Sequence, residues 1–132
     1  MSIASNTFTE NTNPSPTLTF QNISSQIQHK MDGTNYLQWL TQIVPLLRSY
    51  ELMGFVDGSQ STPPKTLPDD SPNPAYRIWY RKEQHLLSSI LSSLTVNVIS
   101  TVYGHNTSKQ VWNALASRYS AQSRSRLAHL KR

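Results

Sequence analysis

The chain has 132 residues, enough for one domain with a modest core. Its hydrophobic share is 36% and its charged share 14%, below the roughly 45–50% and ~25% of an average globular domain, and 19 Ser and 12 Thr fill the difference. The net charge is +5 with no Cys, which excludes disulfides, thiolate metal sites and a cysteine nucleophile, while the lack of any run near ~18 apolar residues excludes a membrane span.

The N-terminus has neither the basic start nor the apolar stretch of a secretory signal, and Ser2 stands where myristoylation requires glycine. An intracellular location is the expectation, cytoplasmic with the nucleus as the alternative. Residues 1–22 are rich in Ser, Thr and Asn, carry Pro14 and Pro16, and space Phe8, Leu18 and Phe20 without a helical repeat. Such a segment cannot offset its ordering entropy by burial, so a disordered tail is expected over 1–22 and a folded unit over 23–132.

A first helix is predicted from Thr34 or Asn35, either able to act as N-cap. Tyr36, Leu37, Trp39, Leu40, Ile43, Val44, Leu46, Leu47 and Tyr50 follow at helical spacing. Pro45 lacks a backbone donor and its ring meets the carbonyl of Thr41, so a kink or break is expected near 42–44. Leu52, Met53, Phe55 and Val56 extend the apolar content, and Gly54 and Gly58 mark a turn. Residues 59–73 hold Pro63, Pro64, Pro68 and Pro72 around Asp69 and Asp70, which predicts a long loop, either mobile or packed as an extended strap.

Asn73 as N-cap and Pro74 at the first helical position open a second helix through Tyr76, Trp79, Tyr80, Leu86, Leu87, Ile90, Leu91 and Leu94. Thr95 can cap a short third helix ending before Gly104. Thr107 and Gln110 have the spacing of a capping box. The helix they open places Val111, Trp112, Leu115, Ala116 and Tyr119 on one side. A last segment from about Ser123 carries Leu127 and Leu130 among Arg124, Arg126, Lys131 and Arg132, with no stop signal, as in a fragment of a longer product. No segment alternates as a strand does. The fold class is all-α, a bundle of four to five helices.

Charge is placed unevenly. Residues 1–83 hold six Lys/Arg and seven Asp/Glu; residues 84–132 hold six Lys/Arg and no acid. Arg118, Arg124, Arg126, Lys131 and Arg132 are therefore candidate RNA contacts, against the plainer reading of a solvated helix face. The four histidines share no metal-ligand spacing, the carboxylates are scattered, and four glycines cannot build a phosphate loop. The expectation is a non-enzyme with no cofactor, metal or small-molecule substrate. Trp39, Trp79 and Trp112 could stack on bases, but their apolar neighbours favour a structural core with Tyr36, Leu115 and Tyr119, the three indoles meeting in one cluster.

The same residues carry a resemblance. Met31-Asp-Gly-Thr-Asn-Tyr-Leu-Gln-Trp39 resembles the L-x-G-x-N-Y-x-x-W opening of the Gag region of plant copia-type (Ty1/copia) LTR retrotransposons. Pro45-Leu-Leu-Arg, Gly54-Phe-Val-Asp-Gly58, Pro74-x-Tyr76-x-x-Trp79, the stretch to Leu94, Trp112-x-x-Leu115-x-x-x-Tyr119 and Ser123 to Lys131 follow in the family's order, with Met31 where Leu is usual. The resemblance implies the N-terminal, capsid-type part of Gag: a structural protein that self-associates into virus-like particles around the element's RNA, with no membrane partner. RNA binding by this segment alone is expected to be weak and non-specific. Two other readings compete: a nucleic-acid-binding module built on the basic C-terminal segment, and a host-adopted Gag remnant acting as an adaptor.

Overall fold

A computed structural model describes residues 23–130, with side chains for residues 23–122. The tail expected over 1–22 lies outside the described residues. Among those described, a 3-10 turn at Ser24–Gln26 precedes five helices: α1 Tyr36–Ser49, α2 Met53–Asp57, α3 Pro74–Ser92, α4 Val96–Thr101 and α5 Ser108–Leu130. They contain no β-sheet, only isolated bridges between Met31 and Leu94 and between Thr66 and Pro72. The all-α expectation holds. The helix expected near 111–119 and the segment expected from Ser123 are one continuous α5.

α5 is the central element, packed against α1, α2 and α3. It supplies Val111, Leu115 and Tyr119 to a core that also holds Tyr36, Trp39, Ile43 and Leu47 from α1 and Leu86 and Ile90 from α3. The segment before α1 is tied in through backbone pairing: Met31 N–H donates to the Ser93 carbonyl at 2.9 Å, and Thr95 N–H to the Met31 carbonyl at 3.0 Å.

Of the kink or break expected near Pro45, the break does not occur: α1 runs through the proline as one helix. Pro45 is exposed, while Ile43 and Leu47 on either side are fully buried. A proline inside a helix costs about 3 kcal/mol. Burying Ile43 and Leu47 contributes about 1.5–3 kcal/mol each, and Tyr36 and Trp39 add to that, so tertiary packing overrides the local penalty.

The turn expected between Gly54 and Gly58 is instead the short helix α2. Phe55 and Val56 are buried, and the chain then folds back so that Gln60 N–H donates to the Gly54 carbonyl at 3.1 Å. A Cβ on Gly54 would lie 2.9 Å from the Gln60 Cβ, so this close crossing requires glycine.

The proline-rich stretch is neither slack nor extended. Leu67 N–H donates to the Ser71 carbonyl at 2.8 Å, and Asn73 N–H donates to the Lys65 carbonyl at 3.0 Å. The Asp69 carboxylate accepts from the Ser71 backbone and hydroxyl at 3.0 and 2.6 Å. The chain thus doubles back on itself, with Leu67 to Asp70 at its tip. Asn73 closes this reversal and caps α3 through the Ala75 N–H at 3.0 Å.

Candidate interaction surface

The polar residues of the Asp32–Asn35 segment form a knot rather than a site. Asp32 accepts from the Thr34 N–H at 2.8 Å and hydroxyl at 2.6 Å. Asn35 accepts from the Asp32 N–H at 2.9 Å and donates to the Lys30 carbonyl at 3.0 Å. Asn35 stands at the N-cap of α1, but its side chain ties the preceding loop and makes no cap bond. Thr95 likewise stands at an N-cap position without capping, and its hydroxyl is buried without a partner.

The start of α5 departs from a simple capping box. Thr107 accepts from the Gln110 N–H at 3.1 Å, as the spacing predicts. Gln110 reaches past Thr107 and accepts from the Asn106 N–H at 2.9 Å. A third group completes the helix end: the buried carboxylate of Glu83 accepts from the Ser108 N–H at 2.5 Å. Burial pushes the Glu83 carboxyl above the ordinary glutamate range, and the Ser108 hydrogen bonds partly offset that.

Of the expected core residues, Tyr36, Trp39, Leu115 and Tyr119 are buried, whereas Trp79 and Trp112 are half-buried at the core's edge. The indoles do not share one cluster. Trp39 and Trp112 lie 5.6 Å apart, with Tyr36 at 5.9 Å from Trp39. Trp79 stacks with Phe55 at 6.1 Å and neighbours Tyr76 at 5.8 Å. It lies in the first half of α3, opposite α2, away from the turns of α3 that face Trp39. Its indole N–H is covered and has no partner.

The candidate RNA contacts are only partly visible. Arg118 is exposed on α5, its guanidinium 5.9 Å from the Tyr119 ring centroid. Arg124 and Arg126 lie on the same helix, but their side chains, like Lys131 and Arg132 entirely, fall outside the described residues.

A groove of about 840 Å³ lies where α1 ends against α3, and the sequence reading does not anticipate it. Leu52, Phe55, Ile78 and Trp79 give it apolar walls, Arg81 and Lys82 a cationic edge, and Glu51 an acid. Ile78 is 58% exposed. The available signal was the run of aromatic and basic residues from Tyr76 to Lys82, which the helical reading absorbed as one more amphipathic face. Among the described residues no group of His, Asp and Glu could hold a metal ion, and no helix is long and apolar enough to cross a membrane.

The family model for the gag-polypeptide of LTR copia-type elements matches residues 43–132. The chain is 33% identical over 113 residues to the retrovirus-related Pol polyprotein from transposon RE1 of Arabidopsis thaliana. It is 34% identical over 113 residues to that from transposon RE2 of the same plant. Each alignment covers 83% of this chain and 8% of the relative, so the chain spans a small part of the length of the curated proteins it matches. No solved structure matches the chain.

Proposed function

This chain belongs to the family of copia-type LTR retrotransposon gag polypeptides, and we propose from that membership that it is a self-associating component of cytoplasmic virus-like particles that package the element's RNA. As a Gag-type domain it is not catalytic. The observation that carries the proposal is the family match over residues 43–132. The packing supports it. A shell needs many copies of weak contacts presented at fixed angles, and α5 holds α1, α2 and α3 in one unit that can present them. The excess of six cations and no acid after Glu83 supports a polyanionic cargo.

The test is sedimentation velocity at rising protein concentration, with and without single-stranded RNA. The expected outcome is a mean mass that climbs above the 15.0 kDa of one chain and an RNA-bound species. A chain that stays monomeric, with or without RNA, rejects the proposal.

A further inference from the structure

Two surface features of this chain are complementary to each other. The groove between the end of α1 and α3 is apolar on its walls, through Leu52, Phe55, Ile78 and Trp79, and cationic along its edge, through Arg81 and Lys82. The tip of the 65–73 reversal is apolar and acidic. Leu67 is 39% exposed there, and Asp69 and Asp70, both exposed, are the one pair of adjacent acids in the sequence.

The tip is also held in shape. Asp70 N–H donates to the Leu67 carbonyl at 2.8 Å, and the reversal is closed below it by the Leu67–Ser71 and Asn73–Lys65 backbone bonds. Lys65 is anchored further by its ammonium, 5.9 Å from the Tyr76 ring centroid on α3. A pre-shaped projection loses little entropy on docking. The tip does not fill its own groove, since the stretch between α2 and α3 reaches that groove only through Gln60 and Pro63.

We propose that the Leu67–Asp70 tip of one copy seats in the groove of a second copy, Leu67 against the apolar wall and Asp69 and Asp70 facing Arg81 and Lys82. The proposal rests on the self-association reading above and gives it a surface. Each chain carries one projection and one socket, so a single contact type either closes a pair by reciprocal exchange or propagates from copy to copy. Exposed charge pairs of this kind are screened by salt, so the contact is weak alone and sensitive to ionic strength.

The experiment is a charge swap on the full chain, read by sedimentation equilibrium up to about 1 mM, the weak end of useful affinity. D69K/D70K and R81E/K82E change exposed side chains; because D69K also removes the Ser71 bonds to Asp69, D69N/D70N, which keeps an acceptor for Ser71 and loses only the charge, is run beside it and is expected to weaken association in the same direction, and circular dichroism melts confirm that all three variants fold. Each charge swap alone is expected to weaken self-association by about tenfold or more, because like charges then face each other. An equimolar mixture of the two swaps is expected to restore association through the reversed pair. If wild type associates and the three variants associate equally well, this contact is wrong and the assembly reading survives. If wild type stays monomeric throughout, both fall. If R81E/K82E loses affinity for single-stranded RNA while its self-association is unchanged, the groove serves RNA and the proposal is overturned.

Discussion

The indole N–H of Trp39 donates to the hydroxyl of Ser93 at 2.9 Å, and that hydroxyl donates in turn to the Ile90 carbonyl at 2.6 Å. Both residues are 1% exposed, and they lie 54 positions apart in the chain. The bond pins α1 to the end of α3, beside the backbone pairing of Met31 with Ser93 and Thr95. Ser93→Ala would leave a buried indole donor with no acceptor, a loss of about 1–3 kcal/mol. Trp39→Phe removes the donor itself, so adding Ser93→Ala to it should cost less than Ser93→Ala costs in wild type. Urea denaturation of the four proteins of this cycle measures the difference; strict additivity would show that the bond carries no energy.

That bond shows what a sequence does and does not declare. The helical spacing of Tyr36, Trp39, Ile43 and Leu47 names a buried face outright, and four of the five helix starts lie where capping residues stand. Ser93 carries no such mark, being one of 19 serines, and only the meeting of two distant helices gives it a role. Glu83 is similar: its burial depends on the α5 N-terminus arriving beside it. Pro45 does not break its helix for a related reason, since local propensity speaks for about 3 kcal/mol and the core behind it for more. The groove was illegible because it lies between elements. Its residues come from the end of α1 and the turn after it, from α2, from Gln60 and Pro63 and from α3, and no single periodic pattern contains them.

The tryptophans should not be equivalent. Trp39 is 1% exposed and hydrogen-bonded, so Trp39→Ala should cost about 3–5 kcal/mol, as for large aromatic truncations in cores, and could unfold a domain of this size. Trp79 and Trp112 are half-buried, so their alanine variants should lose less. Thermal melts rank the three, and a Trp79 variant as unstable as the Trp39 variant would place the second aromatic cluster within the folding core.

α1 ends with Glu51 in the left-handed region at φ 59°. The Leu52 N–H reaches back to the Leu47 carbonyl at 2.7 Å, and Leu52 is buried, as in a Schellman-type end. A residue with a Cβ costs about 1–2 kcal/mol in that conformation, and glycine avoids most of it. Glu51→Gly should therefore raise stability by roughly 1 kcal/mol, read as a higher urea midpoint at unchanged slope. A fall in stability would mean that the Glu51 side chain contributes more than its strain costs.

Glu83 makes stability depend on pH in a definite direction. Its carboxyl is held above the ordinary range in the folded chain, chiefly by burial. Between the unfolded and folded pKa values the folded state binds more protons, so stability is fully present below the unfolded value and falls as pH rises through the folded one. Exposed Asp57 and Asp69 are shifted the other way by their serine hydrogen bonds, so the comparison needed is wild type against Glu83→Gln. The glutamine keeps an acceptor for the Ser108 N–H and has no charge to bury. Its advantage over wild type should grow as pH rises from about 4 towards 7. A constant difference across that range would show that Glu83 does not titrate differently on folding.

RNA binding by this chain should be weak, salt-dependent and indifferent to sequence. Six cations follow Glu83 without an acid among them, and no base-reading motif accompanies them. If three of Arg118, Arg124, Arg126, Lys131 and Arg132 meet phosphates of single-stranded RNA, and Arg118, Arg124 and Arg126 are those three, log K should fall against log salt with a slope of roughly −2, at ~0.7 per contact. Replacing Arg124 and Arg126 by Gln should then bring the slope to roughly −0.7. R81E/K82E should leave it unchanged if the groove serves protein. Arg118 tests the boundary between structure and binding, because its guanidinium rests beside the Tyr119 ring. Arg118→Gln should lower the slope by about 0.7 with little effect on the melting temperature, since the side chain is exposed. Filter-binding titrations at several salt concentrations decide among these outcomes. Tight binding that ignores salt, or a strong preference for one RNA sequence, would replace this electrostatic account with recognition of bases.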